Sequence, residues 1–319
     1  MGEIIRRSEA IRRGVTPSEI RRFVRIGTWT RLSPGIYVPA ASYERSDDRT
    51  RHAYRARAAS ANAVKESALS HVSAAVLHGL ETWQLPLDAV HLTRNRTGGA
   101  TTSTARVLHS SRFGEDEVVE IGGVRVLNVA RTVVDLAATV PFEHAVVVGD
   151  HALRNGLVTA EELCVALERM GRHPGRARAT RAVCFMNDRS DSVGESRSRV
   201  LMVREQLPIP RTQVDVFDAT GKWLARVDFL LPEHGVIGEF DGRVKYRRDG
   251  LASTDAEDVV FREKLREDAL RRAGWVVVRW TWADLQTPGE VAGRIREAID
   301  LAARSAEPTG EWVVRKLAR

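Results

Sequence analysis

Apolar positions recur along this chain with two periods, one helical and one alternating. Over residues 17–25, Ile20, Phe23 and Val24 fall on one helical stripe, while Arg21, Arg22 and Arg25 take the polar side. Thr16-Pro17-Ser18-Glu19 ahead of them has the form of a capping box with proline at the first helical position, and Gly27 ends the run. "WTRLSPGIYV" then predicts two short strands around a Ser33-Pro34-Gly35 turn, and residues 3–13 predict a helix before both. Further on, over about 65–172, "SALSHVSAAVLHGLETW" predicts a helix, followed by strand-like "AVHLTRN", "ARVLHSS" and "VRVLNV". Two more helices come next, "RTVVDLAATV" and "TAEELCVALERM", the latter opened by a capping box from Thr159 to Glu162. "GRHPGRARATR" is polar and arginine-rich and predicts a boundary between 170 and 192. Beyond it the pattern runs helix, three strands, helix, strand, helix. The strands are "TQVDVFD", "KWLARVDFLL", "GVIGEFD" and "WVVVRW", and the last helix starts near Pro288.

These orders predict an α+β multidomain chain. Residues 1–60 follow the plan of a winged helix-turn-helix, 61–180 that of a mixed α/β middle domain, and 190–304 that of an αβββαβ domain. Charge sharpens the first of these. Residues 1–60 hold 13 Arg, no Lys and 6 acidic residues, whereas the other 259 hold 36 basic and 36 acidic ones. The whole excess of +7 therefore sits at one end of the chain. Such a patch suits a polyanion, with Arg21, Arg22, Arg25 and Arg31 as the phosphate-contacting set; the other reading is a solvated arginine-rich face.

No apolar run approaches the roughly 18 residues of a membrane span, and "MGEIIRRSEAIRR" lacks the apolar core of a signal peptide. Cys164 and Cys184 show no paired spacing, so reduced thiols and a cytoplasmic location are expected. His71 and His78 predict packing or surface residues rather than metal ligands. Asp150-His151 lacks a nucleophile, and no catalytic constellation stands out in the middle segment.

The carboxylates of "VDFLLPEHGVIGEFDGRVKY" are the main chemical signal, because acids are depleted in strands. Alternation puts Leu224, Arg226, Asp228 and Leu230 on one face, with Trp223, Ala225, Val227, Phe229 and Leu231 on the other. Ile237, Glu239 and Asp241 point together on the next strand. Across the "PEHGV" turn the two strands would be antiparallel, with Asp228 beside Glu239. Paired carboxylates repel unless a cation joins them, and hard oxygen ligands suit Mg²⁺. A solvated sheet face is the competing explanation. On the following helix, Phe261, Leu265 and Ala269 form the expected buried stripe, flanked by Lys264, Asp268 and Arg271.

An Asp followed by Glu-x-Asp, after a helix containing Glu195, resembles the PD-(D/E)xK nucleases. "FREKLREDALRRAGWVVVRWTWADL" is similar to the matching part of very short patch repair endonucleases. The resemblance spans about 190–300 and implies a restriction-endonuclease-like fold and Mg²⁺-dependent DNA hydrolysis, with Mn²⁺ as substitute. It implies Asp228, Glu239 and Glu195 as metal ligands, together with the Phe240 carbonyl. The sequence departs where lysine is expected, since "EFD" has Asp241 there. Lys245 or Lys264 would supply the missing cation. Glu195 also has a second reading, as the last member of a Ser192–Glu195 capping box. "GVTPSEIRRFVRIGTWTRLSPGIYV", "LSHVSAAVLHGL" and "RTVVDLA" resemble the AbiEi-type antitoxins, over about 1–170. That resemblance implies operator DNA and a cognate toxin as partners and says nothing of hydrolysis. Two functions are therefore expected in turn: a metal-dependent DNA endonuclease, or a non-enzymatic antitoxin and repressor with a degenerate nuclease fold.

Overall fold

The computed structural model describes residues 4–96, 98–99, 101–242 and 253–314, with the side chains of 253–262 outside that description. The chain divides into two compact units, Met1–Met186 and Asn187–Arg319. Both mix helices and sheet, and among the described residues the sheets have three, six and five strands. No described helix is long and apolar enough to cross a membrane.

The first unit opens with helices Arg7–Arg12 and Pro17–Arg25 and a three-stranded sheet of Ile5–Arg6, Ile36–Pro39 and Trp29–Ser33. The capping box forms: Thr16 Oγ1 accepts from Glu19 N, and Glu19 Oε2 accepts from Thr16 N at 2.8 Å. Ile20 is buried against Ala10 and Tyr37, and the Phe23, Trp29 and Tyr37 rings pack in series at tilted angles. The ribbon turns at Gly35, whose φ of +76° requires glycine. Helix Asp48–Ala61, capped by Asp47, packs on both ribbon strand Trp29–Ser33 and strand Val90–Arg94. The division expected at 60/61 therefore falls at the end of a helix that serves both sheets.

The six-stranded sheet of this unit has the order Thr101–Thr102, Arg106–Ser110, Val90–Arg94, Ser67–Leu69, Arg125–Leu127, Val118–Glu120. One expectation is corrected here. Ser67–Leu69 is a strand paired antiparallel with Val90–Arg94, and the helix expected through it is confined to His71–Leu77. The two units divide between Met186 and Asn187, inside the boundary expected between 170 and 192. The polar stretch just ahead of that division contains helix Arg176–Phe185, which buries Ala179, Ala182 and Val183. With helices Val129–Thr139, Phe142–Arg154 and Ala160–Arg169 it forms one apolar core. Arg131 is fully enclosed beside that core. It donates to Asp135 Oδ1 at 2.8 Å, Glu117 Oε1 at 3.1 Å, the Arg112 carbonyl and Ser111 Oγ.

The second unit has helix Val193–Arg204 and a five-stranded sheet of order Val276–Thr281, Val236–Asp241, Trp223–Leu231, Arg211–Phe217, Trp312–Val314. The first pair is parallel and the others antiparallel. One face packs on helices Val193–Arg204 and Glu290–Ala302 through Phe229, Leu231, Val236 and Trp280. The other face packs on Leu270, Ala273 and Trp275 through Val214, Ala225, Val227 and Ile237. Strict alternation along 223–231, as expected from the sequence, is thus broken. Val227 and Phe229 lie in different cores. The break falls at Asp228, opposite Gln213, whose φ of +52° lies in the left-handed region.

Candidate nucleic-acid interface and carboxylate cluster

Helix Pro17–Arg25 presents Arg21, Arg22 and Arg25 to solvent, while Ile20 faces inward. Arg31, on the first ribbon strand, is also exposed. Among the described residues none of these four makes an ion pair. Nearby arginines do: Arg13 pairs with Glu9 at 2.7 Å and Arg51 with Asp48 at 3.5 Å. The four guanidiniums on helix and ribbon are thus exposed and outside the ion pairs among the described residues. Guanidinium forks suit phosphate oxygens, and such contacts fix a protein's register on a duplex.

The carboxylates of the second unit meet around Gln213. Its amide nitrogen donates to Glu195 Oε2 at 2.8 Å and to Asp228 Oδ1 at 3.3 Å, so one side chain joins two acids. Glu195 also accepts from Asp191 N at 2.9 Å and Ser192 Oγ at 2.8 Å, while Ser192 Oγ caps Glu195 N. The capping reading of Glu195 is thus met in part, at the start of its helix, and Gln213 links it to the sheet acid Asp228. Asp228 Oδ2 accepts from Phe240 N at 2.9 Å, at the point where the ladder between strands Trp223–Leu231 and Val236–Asp241 ends. Phe240 fits because Gly194 has no side chain; a Cβ there would meet the ring at 1.9 Å.

Burial, then the Asp228 charge, pushes Glu195 up to about 7 against the hydrogen bonds it accepts. Asp228 is raised as well, first by burial, with the Phe240 N–H opposing and Glu239 adding to the rise.

Glu239 is buried but answered by cations. Arg266 Nη2 pairs with Oε1, and Arg279 Nε donates to Oε2 at 2.9 Å. Sequence reasoning missed Arg266, Arg279 and Gln213. Strand pairing held the signal for Arg279, which sits opposite Glu239 in the parallel ladder. The expected cation Lys264 is exposed, because the buried stripe of helix Ser253–Arg272 is not the one the sequence suggested. Leu265 is 48% exposed whereas Leu270 is 1% and Ala273 7% exposed, so the helix is turned and Arg266 faces the sheet. Asp241 is exposed at the strand end. Lys245 lies outside the described residues.

The donor set fits a divalent ion only in part. Among the described residues, no three carboxylates bring oxygens within 4.8 Å of one another. Glu239, with both oxygens on arginines, does not fit a metal as it stands. Glu195 and Asp228 are buried acids joined by one neutral amide, and all four of their oxygens already accept hydrogen bonds.

Residues 2–40 match a family model described as transcriptional regulator, AbiEi antitoxin. Two curated proteins of Mycobacterium tuberculosis are each 28% identical over 174 residues: uncharacterized protein Rv2248 of strain ATCC 25618 / H37Rv and uncharacterized protein MT2308 of strain CDC 1551 / Oshkosh. The match covers 54% of this chain and 61% of each relative, so the chain spans under two thirds of their length. Among solved structures, the RV2827C protein from Mycobacterium tuberculosis aligns with TM-score 0.39 and 17% identity, over 57% of this chain and 71% of that one.

Proposed function

We propose that this chain is a DNA-binding regulator of the AbiEi antitoxin type, with the helix and ribbon of residues 17–39 as a winged helix-turn-helix. The observation that carries this reading is the set of four exposed arginines free of ion pairs among the described residues, within the segment that matches the regulator family. Helix Pro17–Arg25 enters the major groove and Arg31 on the ribbon meets the flanking backbone. An operator near its own gene and a cognate toxin are the partners this reading implies. Selection from a random duplex library tests it: a recurring motif is expected, and a pool left unenriched after several rounds overturns sequence-specific binding.

A second reading, a metal-dependent DNA endonuclease in the second unit, is favoured by the Glu195–Asp228 pair alone. In it these two acids hold Mg²⁺ or Mn²⁺, which would activate water and polarise phosphate. Arg266 takes the place expected of Lys264 as the nearby cation. Incubating supercoiled plasmid with Mn²⁺ and either wild type or Asp228→Asn tests this. Nicking by the wild type, lowered by at least about 10²-fold in the variant, supports it; equal nicking by both points to contamination and ends it.

A further inference from the structure

The first unit brings three histidines together from three elements. His91 stands on strand Val90–Arg94, where Val90 and Leu92 face an apolar core and so turn His91 and Thr93 to the opposite side. The neighbouring parallel strand Arg106–Ser110 pairs His109 with Thr93, which sets the His109 ring diagonally beside His91. His71 begins helix His71–Leu77, and its segment is tied to His91 twice. Ser70 N donates to the His91 carbonyl at 3.1 Å, and His91 N donates to Ser73 Oγ at 2.8 Å. His71 itself sits at φ +49°, a conformation that non-glycine residues seldom adopt and that gathers at functional sites.

We propose that His71, His91 and His109 form a binding site for a first-row divalent transition ion of the Zn²⁺ class. One nitrogen from each ring lies within 4.8 Å of the other two, and His91 Nδ1 and His109 Nε2 are 3.0 Å apart. Neighbouring nitrogens on an ion at roughly 2.0–2.1 Å are separated by about 2.9–3.4 Å. The 3.0 Å contact here is a ring-to-ring hydrogen bond, and His71 stacks on His109 at 3.7 Å, so an ion would enter by replacing that bond and turning the stacked rings. His71 Nδ1 is engaged by Ser70 Oγ at 3.0 Å, which leaves Nε2 as its free donor. Hydrogen bonding at one ring nitrogen is the usual way a ligand imidazole is oriented.

Charge and protonation agree with this geometry. All three rings are neutral at physiological pH: burial and the neighbouring imidazoles hold His91 at about 4 and His109 at about 3, and burial holds His71 well below the usual range. Neutral imidazole is the ligand form. Beside them, Arg131 pairs with Glu117 and Asp135, and the Asp135 carboxyl acts on His109. Asp135 Oδ2 and Thr93 Oγ1 are buried with no hydrogen-bond partner. Thr93 shares a strand face with His91 and pairs with His109, and the Asp135 charge acts on His109, so these orphaned buried oxygens are ones a metal-bound water could satisfy. His78, which shares the same stretch of sequence, plays no part; its Nε2 bonds the Leu127 carbonyl.

The site is tested on the untagged full chain, stripped with chelator and titrated with Co²⁺ and Zn²⁺. The wild type should bind one equivalent, with visible Co²⁺ absorption that Zn²⁺ abolishes. His91→Asn and His109→Asn, checked for native circular dichroism, should each weaken binding by more than the roughly 10–100-fold typical of losing an outer-shell partner. A wild type that takes up no ion at tens of micromolar metal overturns the proposal. Unchanged affinity in both variants does so equally, because the ion would then be bound elsewhere.

Discussion

Burial beside Asp228 pushes Glu195 up to about 7, and this gives the second unit a pH dependence of definite sign. The unfolded chain gives up the proton near 4.5, whereas the folded chain keeps it to about 7. Between those values the native state holds more protons, so stability falls as pH rises, by on the order of 3 kcal/mol if the full shift is expressed. The buried histidines of the first unit, held below their usual range, act in the opposite direction between pH 5 and 6.5. The comparison with Glu195→Gln therefore isolates this group: relative to that variant, the wild type should lose stability, read as melting temperature, as pH rises from 5 to 8. Equal slopes in wild type and variant would remove Glu195 as the source. Residue-scale chemistry of this kind was only half legible. Asp228, Glu239 and Glu195 stand out in the sequence as acids in unusual places. That Glu239 would be neutralised by Arg266 and Arg279, and that Gln213 would join the other two, depends on strand pairing and on one left-handed backbone angle.

Two elements carry tests of their own. Gly194 lies where helix Val193–Arg204 meets the Phe240 ring, and a Cβ would fall 1.9 Å from it. Gly194→Ala should destabilise by about 1–3 kcal/mol, the usual range for overpacking, as read by urea unfolding; a neutral result would show that the ring has room to move. In the first unit, Arg131 on helix Val129–Thr139 answers two buried carboxylates. Arg131→Ala leaves them unpaired and should lower stability by about 3–5 kcal/mol in the same measurement. The elements themselves were readable where local chemistry decides them. The Thr16–Glu19 and Thr159–Glu162 capping boxes start their helices as the sequence implies. Phase and context were not readable. Helix Ser253–Arg272 is present, yet Leu270 and Ala273 rather than Leu265 are buried, because its periodicity fits more than one rotation. Ser67–Leu69 is too short to show alternation and merges by eye with the helix after it. Arg176–Phe185 hides in a polar run because its buried side is mostly alanine.

Across the whole chain, charge is the feature that binds sequence to proposed function. The +7 excess lies within residues 1–60, and the exposed arginines of the helix and ribbon lie in the same region. If these engage phosphates, binding must release counterions and weaken with salt in proportion to the number of phosphates neutralised. The direct measurement is the affinity of the full chain for a duplex across a salt series, for wild type and for Arg21→Ala/Arg22→Ala/Arg25→Ala. The account predicts weaker binding by the variant and a log–log salt slope shallower by roughly 0.9 for each phosphate the variant no longer neutralises. Equal affinity and equal slope in the two proteins would contradict it.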